Sequence, residues 1–304
     1  MTTIHVSFCV DAGFATPLWV AIASLARAHS PGECAVTVLY QGLDDDFRST
    51  LSAEVAHRIT VTWVEVDEEL VAGAHYSTFL SRASLYRLLL PALLPTNVER
   101  TIYLDADIIV MGNLSSLWQL DMNGCLVGAV REAAAPWPAG PCGTDWLGLG
   151  MRPDSPYFNS GVLVISLRDW REQGIAQQVL GVLTSQRPRW GDQDGLNAVL
   201  EGRWFELGRQ WNLQTADAER RGIAWALWRD DVEAAVASPS VIHYTERHKP
   251  WDSPGSHSLE GAWLAVLDGT SRRGWRPLAR PRRGVRVGRR IKAAVRALIQ
   301  DGDP

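Results

Sequence analysis

Two carboxylates, Asp105 and Asp107, stand one residue apart inside the strongly apolar stretch 101–110. The β-branched and aliphatic residues of this stretch predict a buried strand. Residues two apart in an extended chain point to the same face, so the two carboxylates should project together. Burying two like charges is costly unless a cation neutralises them, and a divalent metal with open coordination positions could also hold a diphosphate. The alternative is that one Asp caps a turn while solvent surrounds the other.

Two further segments carry polar residues that suit such a site. Asp192 and Asp194 flank Gln193 where the pattern predicts the start of a helix, and Asp192 would also serve as a plain N-cap. His243 ends a short apolar strand and offers the third type of ligand that a divalent cation accepts. Lys249, in a proline-broken loop, suits a phosphate. A single His is more often structural, so its assignment depends on the rest of the chain.

The elements that would position these residues alternate along the chain. Strands are predicted at 4–10, 35–40, 59–66, 101–110, 157–167 and 241–242. Helices are predicted at 16–29, 44–57, 82–94 and 168–183, and from 191 onward. This alternation predicts an α/β fold with a mostly parallel, doubly wound sheet.

Ligands bind such sheets at the carboxyl ends of the strands. Asp11 ends the first predicted strand and Asp105 ends the fourth, so both should face one crevice. Phe14 could offer an aromatic face to a base there, or pack under the first helix. The chain has no G-x-G-x-x-G after the first strand and no G-x-x-x-x-G-K-[ST] anywhere, which favours a diphosphate held by a metal.

Prolines, glycines and tryptophans crowd residues 131–156. This composition predicts a long loop, and long loops inside compact domains are usually functional. Trp137 and Trp146 would suit a surface that stacks on sugar rings. The alternative is that a tryptophan folds back as a local plug.

The net charge of −4 conceals an asymmetry. Residues 271–304 hold eleven basic and two acidic residues, a net charge of +9, which leaves −13 for residues 1–270. We therefore expect a globular domain over 1–270 and a basic tail over 271–304. Residues 285–300 could form a basic amphipathic helix at an anionic membrane surface, dock on the acidic body, or remain disordered. An acidic body without an aromatic-basic groove argues against nucleic acid as a partner.

Three features that the sequence lacks bear on where in the cell the protein is expected. The four cysteines show no zinc spacing, the N-terminus does not resemble a signal peptide, and no apolar run is long enough to cross a membrane. A cytoplasmic protein is expected, and the membrane alternative for the tail would place it at the inner face of the membrane.

Four motifs occur in the order and spacing of a known family. They are YLDAD at 103–107, YFNSGV at 157–162, DQDGLN at 192–197 and HYTERHKPW at 243–251. Together they resemble glycosyltransferase family 8, the glycogenin-like and bacterial lipooligosaccharide galactosyltransferase group. The segment YRL at 86–88, followed by Leu94 and Pro95, matches the same family. The resemblance covers roughly residues 4–255.

The resemblance implies a GT-A type, Rossmann-like, mostly parallel twisted sheet flanked by helices. It also implies a UDP-sugar donor, most simply a UDP-hexose such as UDP-galactose or UDP-glucose, retention of anomeric configuration, and Mn²⁺, with Mg²⁺ as a second option. The implied metal ligands are Asp105, Asp107 and His243. The implied donor-site residues are Val10 and Asp11 for the uracil, Phe14 stacked on it, Lys249 at the diphosphate, Ala106 beside the metal ligands, and Arg87, Asn159, Ser160, Asp192 and Gln193 around the sugar.

The segment 192–194 is the implied catalytic segment. Gln193 is a poor nucleophile, so we expect attack on the face of the leaving group, with the departing phosphate oxygen accepting the acceptor's proton. Asp194 as a covalent nucleophile is the less favoured option. Many relatives carry a Gly at the position of Glu246, where a carboxylate would repel phosphate unless it turns away or pairs with Arg247.

Two other classes remain open at this point. One is a metal-dependent nucleotidyltransferase or phosphohydrolase, and the other is a catalytically silent nucleotide-sugar binding protein. Neither needs the segment 192–194. The acceptor is also left open among a glycan, a lipid-linked saccharide, a peptide and a small natural product.

Overall fold

The structure is a computed structural model that describes residues 3–75, 81–140 and 143–278. Its strands are β1 (Ile4–Asp11), β2 (Cys34–Gln41), β3 (Thr60–Glu65), β4 (Arg100–Leu104), β5 (Ile108–Val110), β6 (Val127–Arg131), β7 (Phe158–Ser166), β8 (Trp204–Glu206), β9 (Leu213–Gln214) and β10 (Val241–His243). Its α-helices are α1 (Ala15–Ala28), α2 (Asp45–Val55), α3 (Leu90–Leu93), α4 (Ser115–Trp118), α5 (Leu167–Gln173), α6 (Ile175–Gln186), α7 (Asp192–Val199), α8 (Thr215–Ala218), α9 (Gly222–Leu227), α10 (Arg229–Ala237) and α11 (Glu260–Leu267). Short 3₁₀ helices cover Ala12–Phe14, Glu68–Val71, Arg82–Leu89 and Arg209–Asn212.

The main sheet has seven strands in the order β3-β2-β1-β4-β7-β6-β8. Every strand runs in the same direction except β7, which pairs antiparallel with both β4 and β6. The sheet is therefore mostly parallel, as the alternation predicts. The carboxyl ends of β1 and β4 lie side by side, which brings Asp11 and Asp105 to the same edge of the sheet.

Apolar layers cover both faces of this sheet. On one face, Trp19 and Leu25 of α1 pack over β1 and β2. On the other face, the 3₁₀ segment Arg82–Leu89 and helices α5 to α7 pack over β4, β6 and β7, and Tyr86 and Trp170 are fully buried there. This helix–sheet–helix arrangement is the α/β architecture that was expected, a mostly parallel sheet flanked by helices.

The predicted strand 101–110 is wrong as a single element. β4 belongs to the main sheet, whereas β5 belongs to a second, three-stranded sheet in the order β5-β10-β9. Residues 105–107 form the turn between them. The two Asp residues therefore lie in a turn, and the alternation of a strand does not explain their common direction.

Other elements also differ from expectation. Residues 82–89 form a 3₁₀ helix with only a short α-helix after it. The predicted helix 168–183 is divided at Gly174, whose φ of +61° favours glycine and breaks the hydrogen-bonded ladder. Strand β6, at the start of the proline-rich region, was not predicted.

The described part of the presumed tail begins against the globular body. The Arg272 guanidinium lies 4.2 Å from the centre of the Trp19 ring, and Trp275 packs 6.0 Å from Trp263. The proposed amphipathic helix at 285–300 lies outside the described residues. Within the described ranges, no helix combines the length and the apolarity that a bilayer crossing requires.

Candidate active site

The turn between β4 and β5 is held from two sides. The Asp105 N–H donates to the carbonyl of Gly161 at 2.8 Å, and the Tyr244 N–H donates to the carbonyl of Asp107 at 3.0 Å. The antiparallel pairing of β10 with β5 places His243 opposite Ile108, directly beside the turn. Tertiary pairing therefore brings the two carboxylates and the imidazole together.

Asp105, Asp107 and His243 form a cluster whose candidate ligand atoms all lie within 4.8 Å of one another. His243 Nε2 lies 3.2 Å from Asp107 Oδ1 and 3.8 Å from Asp105 Oδ2. His243 Nδ1 lies 3.0 Å from Asn212 Oδ1, to which it donates, so that Nε2 is the ring nitrogen left to bind a metal ion. Two carboxylate oxygens and one imidazole nitrogen form a donor set that suits Mn²⁺ or Mg²⁺.

The second oxygen of each carboxylate is occupied by a cationic side chain. Asp105 Oδ1 accepts from Arg87 Nη2 at 2.9 Å and from the Tyr103 hydroxyl at 2.5 Å. Asp107 Oδ2 accepts from Lys249 Nζ at 2.7 Å. These contacts fix the carboxylates and leave Asp105 Oδ2 and Asp107 Oδ1 facing His243.

Burial alone would raise the pKa of Asp107, but the Lys249 ammonium and His243 hold that pKa well below its usual range. The Asp107 carboxyl is therefore ionised, as a metal ligand must be.

Gly161 of β7 leaves the space that this cluster needs. A Cβ atom at this position would overlap the His243 ring and come within 2.8 Å of Asp105 Oδ2. Glycine is required here for close approach and not for an unusual φ. The glycine of the YFNSGV motif thus leaves the space that His243 and Asp105 occupy.

Helix α7 presents the second predicted group. Gly191, with a φ of +59°, precedes the helix, and Asp192 and Asp194 lie in its first turn. Asp192 is fully buried, and its Oδ2 lies 3.0 Å from Arg87 Nε. Asp194 is also fully buried and accepts from the Tyr157 hydroxyl at 2.6 Å and from the Trp190 N–H at 2.8 Å.

Burial raises the pKa of both Asp192 and Asp194, although Arg87 opposes this for Asp192 and the Tyr157 hydroxyl opposes it for Asp194. Arg87 contacts both Asp105 and Asp192, so it links the cluster that contains Asp105 to helix α7.

Gln193 lies between the two acids and is only partly buried. Its Oε1 accepts from the Ser160 N–H at 3.0 Å, and its Nε2 lies 3.4 Å from Glu132 Oε2. Glu132 Oε2 also accepts from Asn159 Nδ2 at 2.8 Å. The Gln193 amide is therefore oriented from both ends.

Glu132 and Asn212 contact predicted site residues but were not predicted themselves. Glu132 directly follows strand β6, but Arg131 separates it from the apolar run, so the strand-then-carboxylate pattern is weaker here than at Asp11 and Asp105. Asn212 lies at the end of a 3₁₀ turn, and no local pattern marks it. Asn212 Nδ2 donates to Asn159 Oδ1 at 2.9 Å, which couples His243 to the strand that carries Ser160.

The side chains expected at the uracil, and that of Ala106 beside the metal ligands, are buried or contact other parts of the chain. The Val10 and Ala106 side chains are buried in the core, so only their backbone groups could contact a ligand. Asp11 Oδ1 accepts from the Gly13 N–H at 2.8 Å and caps the first 3₁₀ helix. Phe14 is half-buried and packs edge-on against Trp251 at 6.1 Å.

The structure also locates three loop residues that the sequence analysis considered. Glu246 pairs with Arg221 of the neighbouring loop, and the expected partner Arg247 is not the one found. Trp137 and Trp146 are both half-buried. Between β6 and β7 the described residues form turns and irregular chain, as the composition predicts.

Comparison with known proteins places these features in one family. The family model described as glycosyl transferase family 8 matches residues 5–255. General stress protein A of Bacillus subtilis (strain 168) is 26% identical over 286 residues, which cover 91% of this chain and 96% of that protein. A lipopolysaccharide 1,2-glucosyltransferase of Escherichia coli (strain K12) is 25% identical over 82% of this chain and 72% of its own length.

Solved structures show the same fold. A galactosyltransferase, LgtC, in complex with donor and acceptor sugar analogues, superposes with a TM-score of 0.76 at 24% identity, covering 88% of this chain and 96% of that chain. Because the family model spans most of the sequence, the chain belongs to glycosyl transferase family 8. It is a glycosyltransferase with the GT-A fold.

Proposed function

We propose that this protein is a retaining hexosyltransferase that moves galactose or glucose from a UDP-sugar to a hydroxyl group of an acceptor. Mn²⁺, or Mg²⁺, would be held by Asp105, Asp107 and His243. One observation carries the proposal: three donor atoms converge while cationic side chains hold the remaining carboxylate oxygens. A divalent cation bound there would offset the negative charge that develops on the diphosphate as the glycosidic bond breaks.

Lys249 would supply a further positive charge to the diphosphate. Its ammonium donates hydrogen bonds to Asp107 Oδ2 and to the Tyr244 carbonyl. The side chain lies at the edge of the cluster and is partly exposed. A charge-assisted hydrogen bond from Lys249 to a phosphate oxygen would hold the leaving group. The pairing of Glu246 with Arg221 neutralises the carboxylate that would otherwise repel the diphosphate.

Gln193 would act on the sugar. Its amide is a poor nucleophile, and its contacts with Ser160 and Glu132 fix its orientation. We infer that Gln193 steadies the cationic sugar while the acceptor hydroxyl attacks on the face of the leaving group. The departing phosphate oxygen accepts the hydroxyl proton, so no separate base is needed.

Asp194 is poorly placed for covalent catalysis. Both of its oxygens accept hydrogen bonds, and its side chain is inaccessible. We propose that Asp194 positions the start of α7, and that Asp192 holds Arg87 against Asp105.

The test is a screen of nucleotide sugars for cleavage with Mn²⁺ and with a chelator. Release of UDP from UDP-galactose or UDP-glucose, dependent on the metal, supports the proposal. Release of phosphate or pyrophosphate would instead indicate a phosphohydrolase or nucleotidyltransferase. A UDP-sugar that binds but stays intact with and without metal would indicate a binding protein. A glycosyl adduct on Asp194, detected by mass spectrometry, would overturn the front-face route.

The acceptor class is proposed from the relatives. One relative is named for lipopolysaccharide and one solved relative was determined with an acceptor sugar analogue, so a glycan acceptor is favoured over a peptide or a small natural product. The free cysteines Cys9, Cys34 and Cys125 fit a reducing compartment such as the cytoplasm.

The domain division also remains a proposal: a catalytic domain over 1–270 and a tail over 271–304 that contacts anionic membranes. Because Arg272 and Trp275 pack on the body, the informative truncation ends at 278. Liposome flotation that persists undiminished in this truncated chain would contradict membrane contact through the tail.

A further inference from the structure

The hydrogen on the ring of His243 is placed by groups outside the cluster that His243 forms with Asp105 and Asp107. A neutral histidine carries one N–H, on Nδ1 or on Nε2, and only the bare nitrogen can bind a metal ion. The distance of 3.0 Å between His243 Nδ1 and Asn212 Oδ1 fixes Nδ1 as the donor only if the Asn212 amide cannot reverse. The tautomer of His243 therefore depends on what orients Asn212.

A chain of side-chain amides orients Asn212, and this chain starts at a backbone N–H. The Gly161 N–H donates to Asn159 Oδ1 at 3.0 Å, and Asn212 Nδ2 donates to the same oxygen at 2.9 Å. Because a backbone N–H can only donate, the atom of Asn159 that faces it must be the oxygen. The atom of Asn212 that faces this oxygen must then be the nitrogen, which leaves Asn212 Oδ1 toward His243.

The other end of the chain is anchored by a carboxylate. Asn159 Nδ2 donates to Glu132 Oε2 at 2.8 Å. An ionised carboxylate can only accept, so Glu132 also requires the nitrogen of Asn159 on its side. Reversing Asn159 would set an oxygen against the Glu132 carboxylate and an N–H against the Gly161 N–H. Asn159 therefore has one orientation that satisfies both neighbours.

Burial makes a reversal of Asn212 costly. Asn212 is fully buried and Asn159 is 6% exposed, so water has little access to replace a lost partner. If His243 Nε2 carried the hydrogen, Asn212 would have to reverse, and its oxygen would then face Asn159 Oδ1 at the present 2.9 Å contact. Buried polar atoms without a partner are strongly disfavoured. The chain of amides thus favours a hydrogen on Nδ1 and a bare Nε2.

The groups on the other side of the ring favour the opposite tautomer. His243 Nε2 lies 3.2 Å from Asp107 Oδ1, a carboxylate oxygen that would accept a hydrogen from it. With the hydrogen on Nδ1, the three facing atoms Asp105 Oδ2, Asp107 Oδ1 and His243 Nε2 all carry lone pairs. A divalent cation stabilises that arrangement, whereas a hydrogen on Nε2 would compete with the cation. The amide chain and the carboxylates therefore act on the same ring in opposite directions.

We propose that Asn212, oriented by Asn159, is a positioning residue that keeps the hydrogen of neutral His243 on Nδ1 and leaves Nε2 for the metal ion. The inference rests on the proposed function and deepens it, because it assigns the metal-binding form of His243 to a residue 31 positions away in the chain. The metal ion then binds without first displacing a hydrogen from one ring nitrogen to the other.

The first test is nitrogen NMR of the metal-free protein with isotopically labelled histidine, at about pH 9, where histidine is ordinarily neutral. Protonated and bare ring nitrogens differ widely in chemical shift, and the signals lost in His243→Gln identify those of His243. The wild type should carry the hydrogen on Nδ1. A hydrogen on Nε2 in the wild type would overturn the proposal, and this result does not require that a variant of Asn212 folds.

Two other histidines provide references in the same spectrum. The Leu259 N–H donates to His257 Nδ1 at 3.0 Å, so the hydrogen of neutral His257 must lie on Nε2. The Leu114 N–H donates to His29 Nε2 at 2.9 Å, so the hydrogen of neutral His29 must lie on Nδ1. Both tautomers are set by backbone groups and should be the same in every variant. A change confined to His243 is then separate from a general rearrangement.

The second test changes Asn212. Asn212→Leu removes the acceptor of the Nδ1 hydrogen with a side chain of similar volume, so the hydrogen should shift toward Nε2, where Asp107 accepts it. The Mn²⁺ affinity should fall by about 10–100-fold, the usual effect of losing the partner of a metal-binding histidine. Asn212→Asp keeps an oxygen for the Nδ1 hydrogen and should therefore keep Nδ1 protonated, with a Mn²⁺ affinity closer to that of the wild type. Calorimetric titration of Mn²⁺ measures both affinities.

Asn197→Leu is the matched control, because Asn197 is also a buried amide and bonds to the backbone of Phe158 and of Gln193. It should keep the wild-type tautomer of His243 and the wild-type Mn²⁺ affinity. An unchanged tautomer in Asn212→Leu, or equal losses of Mn²⁺ affinity in Asn212→Leu and Asn197→Leu, would overturn the proposal.

A failure of the proposed function gives a different result. Neither test uses a nucleotide sugar, so a protein that cleaves none can still show the expected tautomer and the expected order of Mn²⁺ affinities. A wild type that does not bind Mn²⁺ would overturn the proposed metal site, whereas the spectra of the metal-free protein would still decide the role of Asn212.

Discussion

Asp105 and Asp107 share their spacing with Asp192 and Asp194, yet the two pairs have opposite surroundings. The first pair lies in a turn, and its side chains are 25% and 13% exposed. The second pair opens a helix and is fully buried. A helix rotates about 100° per residue, so side chains two apart diverge. Accordingly, Asp192 contacts Arg87 and Asp194 contacts Tyr157.

The difference shows that carboxylate spacing alone does not define a metal site. In the turn, each Asp keeps one oxygen facing His243 because its other oxygen is held by a cation. In the helix, both Asp194 oxygens are used by the protein itself. The first pair is thus available to a ligand, whereas the second pair orders the structure around Gln193.

The largest expected effect is on Mn²⁺ affinity, in which substitutions in the two Asp pairs should differ. Asp107→Asn should weaken Mn²⁺ binding by more than about 100-fold, because even residues that only support metal ligands contribute 10–100-fold. Asp194→Asn should leave the Mn²⁺ affinity near the wild-type value. Calorimetric titration of Mn²⁺ into both folded variants measures the difference. Equal losses in the two variants would mean that the helix pair, too, supports the metal.

An intermediate effect is expected on the free energy of unfolding, in which the two tyrosines that donate to these acids should differ. Tyr157→Phe should lower the free energy of unfolding by about 1–3 kcal/mol, because a buried Asp194 oxygen loses its hydrogen bond. Tyr103→Phe should cost less stability, since Arg87 still donates to the same Asp105 oxygen. Urea unfolding of the metal-free variants provides both values. A larger loss in Tyr103→Phe than in Tyr157→Phe would contradict the assignment of Asp194 as the structural member.

The smallest effect is a difference of sign in the pH dependence. The pKa of Asp107 is lowered in the folded state, so its stabilising contribution is present above its ordinary pKa and is lost as the pH falls. The pKa of Asp194 is raised by burial, so its contribution is present below its ordinary pKa and is lost as the pH rises.

Between about pH 3 and about pH 6, the two Asn variants should therefore diverge. The stability loss caused by Asp107→Asn should grow with pH, and that caused by Asp194→Asn should shrink. Urea unfolding of the metal-free proteins at both ends of this range measures the two trends. Trends of the same sign would show that the two pairs are not electrostatically distinct.

Much of the fold could be predicted from the sequence because apolar periodicity is a local signal. Strands β1 to β3 and helices α1 and α2 lie within a residue or two of their predicted bounds. The site was harder to predict. The strand 101–110 was predicted as one element because both halves are apolar, whereas the division at 105–107 depends on β5 pairing with β10.

Glu132 was missed because its short strand precedes a proline-rich region that was assigned to loop as a whole. Asn212 was missed because its role depends on the orientation of the His243 ring, which no local pattern encodes.

The sequence by itself determined which residue types are available, in what order, and on which sheet edge Asp11 and Asp105 would meet. The tertiary structure alone decided that Asp105 Oδ2, Asp107 Oδ1 and His243 Nε2 face one another. The physical reason is that these atoms come from a turn and a distant strand. Backbone pairing of β5 with β10 brings the two segments together, and Gly161 leaves room for the side chains.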